Sequence, residues 1–355
     1  MVLEEKPILS EAQTHACVTI GICAYNEEKN IGPLLHSILL QKIADPFEIV
    51  VVSDGSTDST DSIVREIADL NPSVRLTRHL FRKGRSEAID TLLRESSGEV
   101  VVVVSADTQL CDGSIQRMID VFEEPRVGMC WARLVPLSDH DRLIDRVGNL
   151  SFRIHHRLSA RLSSEGGIRH ATGDIVAIRK AAITDRPPGC INDDEFLAIN
   201  AARMGFKVHY VPFSLCKTAM PTNAVDYVNQ RRRWVYGHLQ VGEMLGEYPT
   251  VLECVVTKRP ILAMSVIVQE MAAQPGELIV LFSSILLELA VALLVLKDRI
   301  LNISHYPWKI IESTKRPLYQ NYNPTPTKIE AAHGPLTQAE QAITRKREVS
   351  RRRRP

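Results

Sequence analysis

The chain has 355 residues, 45% of them hydrophobic and 24% charged, which suits one large globular domain with an appendage or two domains. The formal net charge of +1 at pH 7 gives no indication of nucleic-acid binding. Seven cysteines without a CxxC pair or regular spacing are typical of reduced cytosolic thiols and exclude a disulfide scaffold.

Strands and helices alternate through the first third of the chain, which favours an α/β domain with a largely parallel sheet. The predicted elements, in chain order, are strand CVTIGICAY, helix NEEKNIGPLLHSILLQ capped at Asn26, strand FEIVVVSDG, helix STDSTDSIVREIADLN, strand VRLTRH, helix GRSEAIDTLLRESS and strand GEVVVVVSAD. In such sheets, ligands collect beyond the carboxyl ends of the strands. Asn26, Asp54 and Asp107 each stand where a strand ends, so we expect them to converge on one edge.

The last of these strands, in VVVVSADTQL at residues 101–110, is an apolar run that ends on an acid. A run of valines suits a strand buried on both faces of a sheet. A buried carboxylate costs several kcal/mol unless it is paired or bound to a metal. Asp107 therefore either begins a turn or holds a cation above the sheet.

The segment SDGSTDST places Asp54 at a strand end and Asp58 at a helix start. Capping explains Asp58, whereas Gly55 permits a tight turn that leaves the Asp54 carboxylate at the edge. A dinucleotide-binding fold needs GxGxxG after its first strand. The chain reads CAYNEE there, so we do not expect NAD binding.

Two later segments carry charges on predicted helices. INDDEFLAINAARMGFKV, residues 191–208, reads as an acidic loop and a helix that Gly205 stops. The helix dipole stabilises acids in a first turn. Three acids in succession are more than a helix cap needs, and like charges so close together raise the pKa of one of the acids. In NQRRRWVYG, Gln230, Arg233 and Trp234 share one helical face; we expect Arg231 and Arg232 to meet anionic lipid head groups.

The stretch LIVLFSSILLELAVALLVL, residues 278–296, predicts a membrane-spanning helix of about 28 Å. Its only charge, Glu288, would be costly at mid-membrane, so a buried core helix stays open. The shorter apolar run at residues 260–275, which contains Gln269 and Glu270, indicates an interfacial helix or one arm of a hairpin.

Six motifs of the sequence resemble those of a known enzyme family: ICAYNEEKNI, VVSDGSTDST, RKGRSEAID, VVSADTQL, INDDEFLAINAARMGFKV and QRRRW. Their order and spacing over about residues 16–240 resemble family 2 glycosyltransferases, the inverting enzymes that include cellulose, chitin and hyaluronan synthases. The resemblance implies a GT-A (nucleotide-diphospho-sugar transferase) fold and a nucleotide-sugar donor of the UDP-linked type. Three positions depart from the family pattern: Cys23 replaces a proline, Ser105 the first acid of DxD, and Asp193-Asp194 a Glu-Asp pair.

The resemblance also implies site residues. Asp107 would hold a divalent cation, Mg²⁺ or Mn²⁺, on the donor diphosphate; one carboxylate suffices because phosphate oxygens and water complete the shell. The other predicted donor contacts are Tyr25, Asn26, Glu27, Asp54, Lys83 and Ser105. Asp194 would be the general base toward an acceptor hydroxyl, with Asp193 beside it. Arg233 would balance the diphosphate, and the acceptor contacts would be Gly173, Gln230 and Trp234.

The expected domains are an N-terminal extension (1–15), the GT-A domain (16–245), interfacial and transmembrane helices (246–300) and a basic, disordered cytoplasmic tail (301–355). The N-terminus has no apolar core of a signal peptide, and the tail ends in RKREVSRRRRP, which favours the anionic cytoplasmic leaflet. We therefore expect a cell-membrane protein whose catalytic domain faces the cytoplasm.

Three functions remain open. The motif QxxRW favours extension of a polysaccharide, whereas the small membrane region favours distributive glycosylation of a polyprenyl-phosphate or glycolipid. Ser105 motivates a third, a non-catalytic sugar-binding protein. The expected partners are a nucleotide-sugar donor, a glycan or glycolipid acceptor and membrane lipids, with no nucleic acid.

Overall fold

The structure is a computed structural model, and it describes residues 18–137, 141–166, 168–248, 259–303 and 311–319. The predicted N-terminal extension and the arginine cluster of the tail lie outside these residues. The eight strands are β1 Val18–Ala24, β2 Phe47–Ser53, β3 Val74–Arg78, β4 Val100–Ser105, β5 Thr108–Leu110, β6 Val127–Leu137, β7 Ile175–Arg179 and β8 Lys207–Ala219. They form one sheet in the order β3-β2-β1-β4-β7-β6-β8-β5.

Nine α-helices accompany the sheet in the described ranges. They are α1 Ile31–Leu39, α2 Thr60–Leu70, α3 Arg85–Glu95, α4 Ser114–Ile119, α5 Leu143–Ser164, α6 Asp193–Arg203, α7 Ala224–Leu245, α8 Pro260–Ala273 and α9 Leu278–Ile300. Helices α1, α2 and α4 cover one face of the sheet, and α3 and α6 cover the other. Every residue of β4 is buried, and its valines alternate between the two cores, as the sequence predicts.

The sheet is parallel in one half and mixed in the other. Strands β1 to β4 run parallel, as predicted, whereas β7 is antiparallel to both β4 and β6, and β5 is antiparallel to β8. Only Ala106 and Asp107 separate β4 from β5, which is too short for a crossover to a parallel neighbour. The predicted cap of the first helix at Asn26 is wrong, because α1 begins at Ile31 with Asn30 as its N-cap.

Helix α9 packs against α5 and α7 with one face and exposes the other. Val280, Val291 and Val295 are at most 3% exposed. An apolar stripe at helical spacing lies on the outer face and consists of Leu278, Ile279, Phe282, Ile285, Leu286, Leu289, Leu293, Leu296 and Ile300. Among the described residues, Pro275–Ile300 is the one helical stretch long and apolar enough to cross a membrane. The alternative of a core helix covered on all sides does not apply.

The charges on α9 pair with α7. Arg231 forms an ion pair of 2.8 Å with Glu288, and Arg232 pairs with Asp298, whose side chain is fully buried. The expectation that Arg231 and Arg232 meet lipid head groups is therefore wrong. The pairing also explains the costly Glu288, because its charge faces a guanidinium and not lipid.

Residues 311–319 return to the α/β domain. The Leu318 amide donates to Asn30 Oδ1 (3.0 Å), and the Tyr319 hydroxyl donates to the carbonyl of Thr108 (2.9 Å). Lys315 forms an ion pair with Glu27. The prediction of a disordered tail from residue 301 is wrong for this segment, since residues far from the domain in sequence can still complete its surface.

Candidate active site

A cavity of about 880 Å³ lies at the carboxyl ends of β1, β2 and β4 and extends to α7 and α9. Its position is where an open α/β sheet places ligands. Eleven of the thirteen residues singled out from the sequence line it: Tyr25, Glu27, Asp54, Ser105, Asp107, Gly173, Asp193, Asp194, Gln230, Arg233 and Trp234. The six motifs, far apart along the chain, thus meet in one place.

Asn26 and Lys83 do not line this cavity. Asn26 adopts a positive φ of 52°, and its Oδ1 accepts the Thr57 amide (2.9 Å), so it ties the loop after β1 to the loop after β2. Lys83 is exposed, with its ammonium 5.9 Å from the centre of the Phe81 ring. Both predicted donor contacts therefore lie beside the site and not in its wall.

Asp54 lines the cavity, but its carboxylate is already engaged. It accepts the Lys83 amide (2.9 Å) and the Gly84 amide (2.7 Å), and His79 Nδ1 lies 2.7 Å away. Gly55 has φ +72°, and a Cβ there would lie 2.6 Å from the Arg82 nitrogen. The glycine is required by the turn, as the sequence indicates, and Asp54 anchors the start of α3.

The three acids at the start of α6 have three different surroundings. Asp193 Oδ1 lies 3.6 Å from Arg85 Nε. Glu195 is fully buried between His170, at 2.7 Å, and His238. Asp194 faces Gly173, where an added Cβ would lie 3.1 Å from its Oδ2. Gly173 thus makes room for the Asp194 carboxylate at the cavity wall.

These surroundings shift the pKa values of the neighbouring carboxyls Asp194 and Glu195 in opposite directions. Burial, Asp193 and Glu195 raise the pKa of Asp194 well above its ordinary value, against the opposing charge of Arg85. Burial would also raise the pKa of Glu195, but His238 and His170 lower it to about 2. Carboxyls pushed apart in this way are typical of acid–base sites. Of these two carboxyls, Asp194 has the higher affinity for a proton, as a general base requires.

Arg85 is a site residue that the sequence reasoning missed. Its Nη1 donates to Ser105 Oγ (2.7 Å), and its Nη2 donates to the Gly173 carbonyl. Together with the Asp193 ion pair, these contacts join β4, the loop before β7 and α6. The motif RKGRSEAID contains it, two residues after Lys83.

The Asp107 region is rich in negative charge. Burial and the charge of Asp107 raise the pKa of Glu27, and the same two causes raise the pKa of Asp174. Asp174 is a second residue that the sequence reasoning missed, although it follows Gly173 directly. No group of three His, Cys, Asp or Glu side chains among the described residues could hold a metal by itself. A hard cation at Asp107 fits if a diphosphate and water supply its other oxygens.

Positive charge lies in the same cavity. Arg233 is enclosed near Asp107, Asp174 and Asp194, and its pKa is lowered by burial and by the neighbouring charge of Arg85. Two guanidinium groups that repel each other in a cavity suit a ligand with more than one negative charge. The arrangement can therefore accept a diphosphate between Asp107 and Arg233.

Two residues that line the cavity each carry a buried polar atom without a partner. Gln230 Oε1 and Thr172 Oγ1 are buried, and neither has a hydrogen-bond partner among the described residues. A buried polar group without a partner costs about 1–3 kcal/mol, so such groups suit a ligand with hydroxyls. Trp234 is held nearby, because its carbonyl accepts Asn192 Nδ2 (3.2 Å).

Comparisons with known proteins identify the family of the chain. A family model described as glycosyltransferase like family 2 matches residues 15–237. A poly-beta-1,6-N-acetyl-D-glucosamine synthase of Staphylococcus epidermidis is 23% identical over 250 residues, which cover 67% of this chain and 60% of the relative. An N-acetylglucosaminyltransferase of Bradyrhizobium diazoefficiens is 25% identical over 234 residues, with coverages of 61% and 48%. The chain thus spans about half to three fifths of these relatives.

A solved structure has the same fold. The mannosyltransferase of Pyrobaculum calidifontis, in complex with GDP-Man and Mn²⁺, superposes with a TM-score of 0.57 at 22% sequence identity. The match covers 79% of this chain and 87% of that one, and it supports a GT-A fold. The family match covers more than half of the chain. The chain therefore belongs to the family of glycosyltransferase-like family 2 proteins.

Proposed function

We propose that the protein is an inverting, metal-dependent glycosyltransferase that moves a sugar from a nucleotide-sugar to a glycan acceptor. The observation that carries this proposal is the placement of Asp194, with its raised pKa, in one cavity with Asp107 and Arg233. A base, a cation site and a counter-charge for a leaving diphosphate are the groups that such a transfer requires.

Each of these residues has a distinct task in the proposed reaction. Asp194 takes the proton of the acceptor hydroxyl while that oxygen attacks the anomeric carbon, so configuration inverts in one displacement. Arg233 and Arg85 balance charge on the departing diphosphate, each charge-assisted contact contributing about 1.5–3 kcal/mol. A Mg²⁺ or Mn²⁺ ion held by Asp107 would neutralise charge on the diphosphate when bound. Trp234 and Gln230 orient the acceptor sugar.

The first test of this proposal is the identity of the nucleotide-sugar donor. The two relatives named above act on N-acetylglucosamine, so we expect UDP-N-acetylglucosamine to be the preferred donor. Purified protein with Mn²⁺ and a β-N-acetylglucosaminide as acceptor should release UDP from it at least about tenfold faster than UDP from UDP-glucose or GDP from GDP-mannose. Release would be followed by a coupled nucleotide assay. Tight donor binding with no release from any donor would favour the non-catalytic sugar-binding protein that Ser105 suggests.

We further propose that α9 lies along one leaflet of the cell membrane, with the catalytic domain on the cytoplasmic side. Helix α9 is held to α7 by the Arg231–Glu288 and Arg232–Asp298 ion pairs, and α7 carries Trp234 of the site. A crossing α9 would take those charges of α7 into the hydrocarbon, which is costly. Lying flat, α9 buries its apolar stripe in the leaflet and leaves α7 in water.

Cysteine labelling distinguishes a flat α9 from a crossing one. Gly276→Cys and Leu301→Cys lie at open positions on either side of the helix, which is about 34 Å long. In sealed vesicles with the catalytic domain outside, an impermeant maleimide should label both as fast as Glu66→Cys on exposed α2. Wild-type protein gives the background of the native thiols. Labelling of one flank only, with the other exposed by detergent, would contradict the flat arrangement.

A further inference from the structure

The cavity continues beyond the residues that the proposed transfer uses. Where α8 and α9 line it, most of the wall consists of apolar side chains, among them Ile267, Leu281, Ile285, Leu289 and Ala292. A nucleotide-sugar and a free glycan are polar over their whole length. Their hydroxyls would lose hydrogen bonds to water against such a wall without replacement.

This apolar wall adjoins the apolar stripe of α9. Ile285 is 50% exposed and Leu289 is 57% exposed, so each belongs both to the cavity wall and to the outer face. Under the flat arrangement of α9, the mouth of the cavity faces the acyl chains of the leaflet. A molecule anchored in that leaflet can reach the cavity without leaving the membrane.

One charged pair lies next to both polar and apolar side chains of the wall. Arg231 bonds to Glu288 at 2.8 Å, and its guanidinium carbon lies 5.4 Å from the centre of the Trp234 ring. Trp234, Gln230 and Asp194 line the same cavity, and Ile285 and Leu289 lie within one helical turn of Glu288 on α9. A polar head group and an apolar tail would each meet a matching wall, with Arg231 at their junction.

We propose that the acceptor is a glycolipid whose sugar lies at Trp234 and Asp194 and whose tail lies against Leu289 and Ile285. This inference rests on the proposed function and names the acceptor class for it. The tail raises affinity because each methylene group removed from water contributes to binding. The sugar hydroxyl remains the group that Asp194 deprotonates.

The test compares two acceptors that differ in their tail alone. Full-length protein in detergent micelles, supplied with UDP-N-acetylglucosamine and Mn²⁺, receives methyl or octyl β-N-acetylglucosaminide below its micellar concentration. KM for the octyl compound should be about 100-fold lower, the change expected from burying about three or four methylene groups. Leu289→Asn should reduce this ratio to about 10-fold.

Leu293→Asn is the matched control, since Leu293 is 69% exposed on the same face but does not line the cavity; it should keep the wild-type ratio. Equal KM values for the two acceptors overturn the glycolipid proposal and leave the glycosyltransferase proposal standing. Calorimetric binding of both compounds with UDP present gives a readout that needs no turnover. Equal affinities there, or binding of a polyprenyl phosphate in place of both glycosides, also overturn the proposal.

Discussion

Replacing Asp194 by asparagine should lower kcat for sugar transfer by about 10²–10⁴-fold, roughly 3–5 kcal/mol, and leave donor affinity unchanged. Asparagine keeps the size of the side chain but cannot accept the proton. Burial and the charge of Asp193 raise the pKa of Asp194, which brings its basicity closer to that of an effective proton acceptor near neutral pH. Turnover and calorimetric donor binding, measured on the same preparation, give the two quantities.

Asp193→Asn is the matched control, because it alters the adjacent residue in the same helical turn. Asp193 is paired with Arg85 and is 4% exposed, so its loss should shift Arg85 and lower kcat by less than the Asp194 change. If Asp193→Asn were inactive and Asp194→Asn were active, the general base would be Asp193 and not Asp194.

The pH dependence gives a second readout for Asp194. Its folded-state pKa is raised, so the basic form is lost as pH falls through that higher value and not through the ordinary aspartate range. We expect kcat/KM to fall on acidification at a pH well above 3.8. The residual activity of Asp194→Asn should lack this limb. An unchanged limb in the variant would assign the titration to another group.

The parallel half of the sheet and most of the cavity wall could be predicted from the sequence. Alternating strands and helices imply successive crossovers, and crossovers bring the carboxyl ends of strands to one edge. Asp54 and Asp107 therefore meet there without any knowledge of long-range contacts. The five-valine run of β4 is buried on both faces because both helix layers cover it.

The remainder depends on contacts that local patterns do not encode. Arg85 begins a helix, and nothing near it in the sequence indicates that it will bond Ser105 and pair with Asp193. Likewise Arg231 stands in a basic run that suits lipid head groups, but its partner Glu288 is 57 residues away. Charge patterns indicate that a residue needs a partner, but only the tertiary fold determines which partner it finds.

Removal of the divalent cation should abolish transfer, and Asp107→Asn should lower kcat by about 10²–10³-fold. A cation on the diphosphate contributes several kcal/mol to stabilising charge in the transition state. Asp107 lies in the cavity at the end of β4, and its charge raises the pKa values of Glu27 and Asp174. These two carboxyls indicate local negative charge that a cation would neutralise. EDTA followed by graded Mn²⁺ or Mg²⁺ gives the activity dependence.

Thermal unfolding separates loss of the cation from loss of the fold. With UDP present, Mn²⁺ should raise the Tm of the wild-type protein, because a ligand that binds only the folded state stabilises it. Asp107→Asn should lose this rise and yet unfold no earlier than wild type without metal, since it removes repulsion from Glu27 and Asp174. Asp174→Asn removes a neighbouring charge in the same wall and should retain most of the Mn²⁺-dependent rise. Full activity in EDTA, or a normal Mn²⁺ response in Asp107→Asn, would refute the assignment of the cation to Asp107.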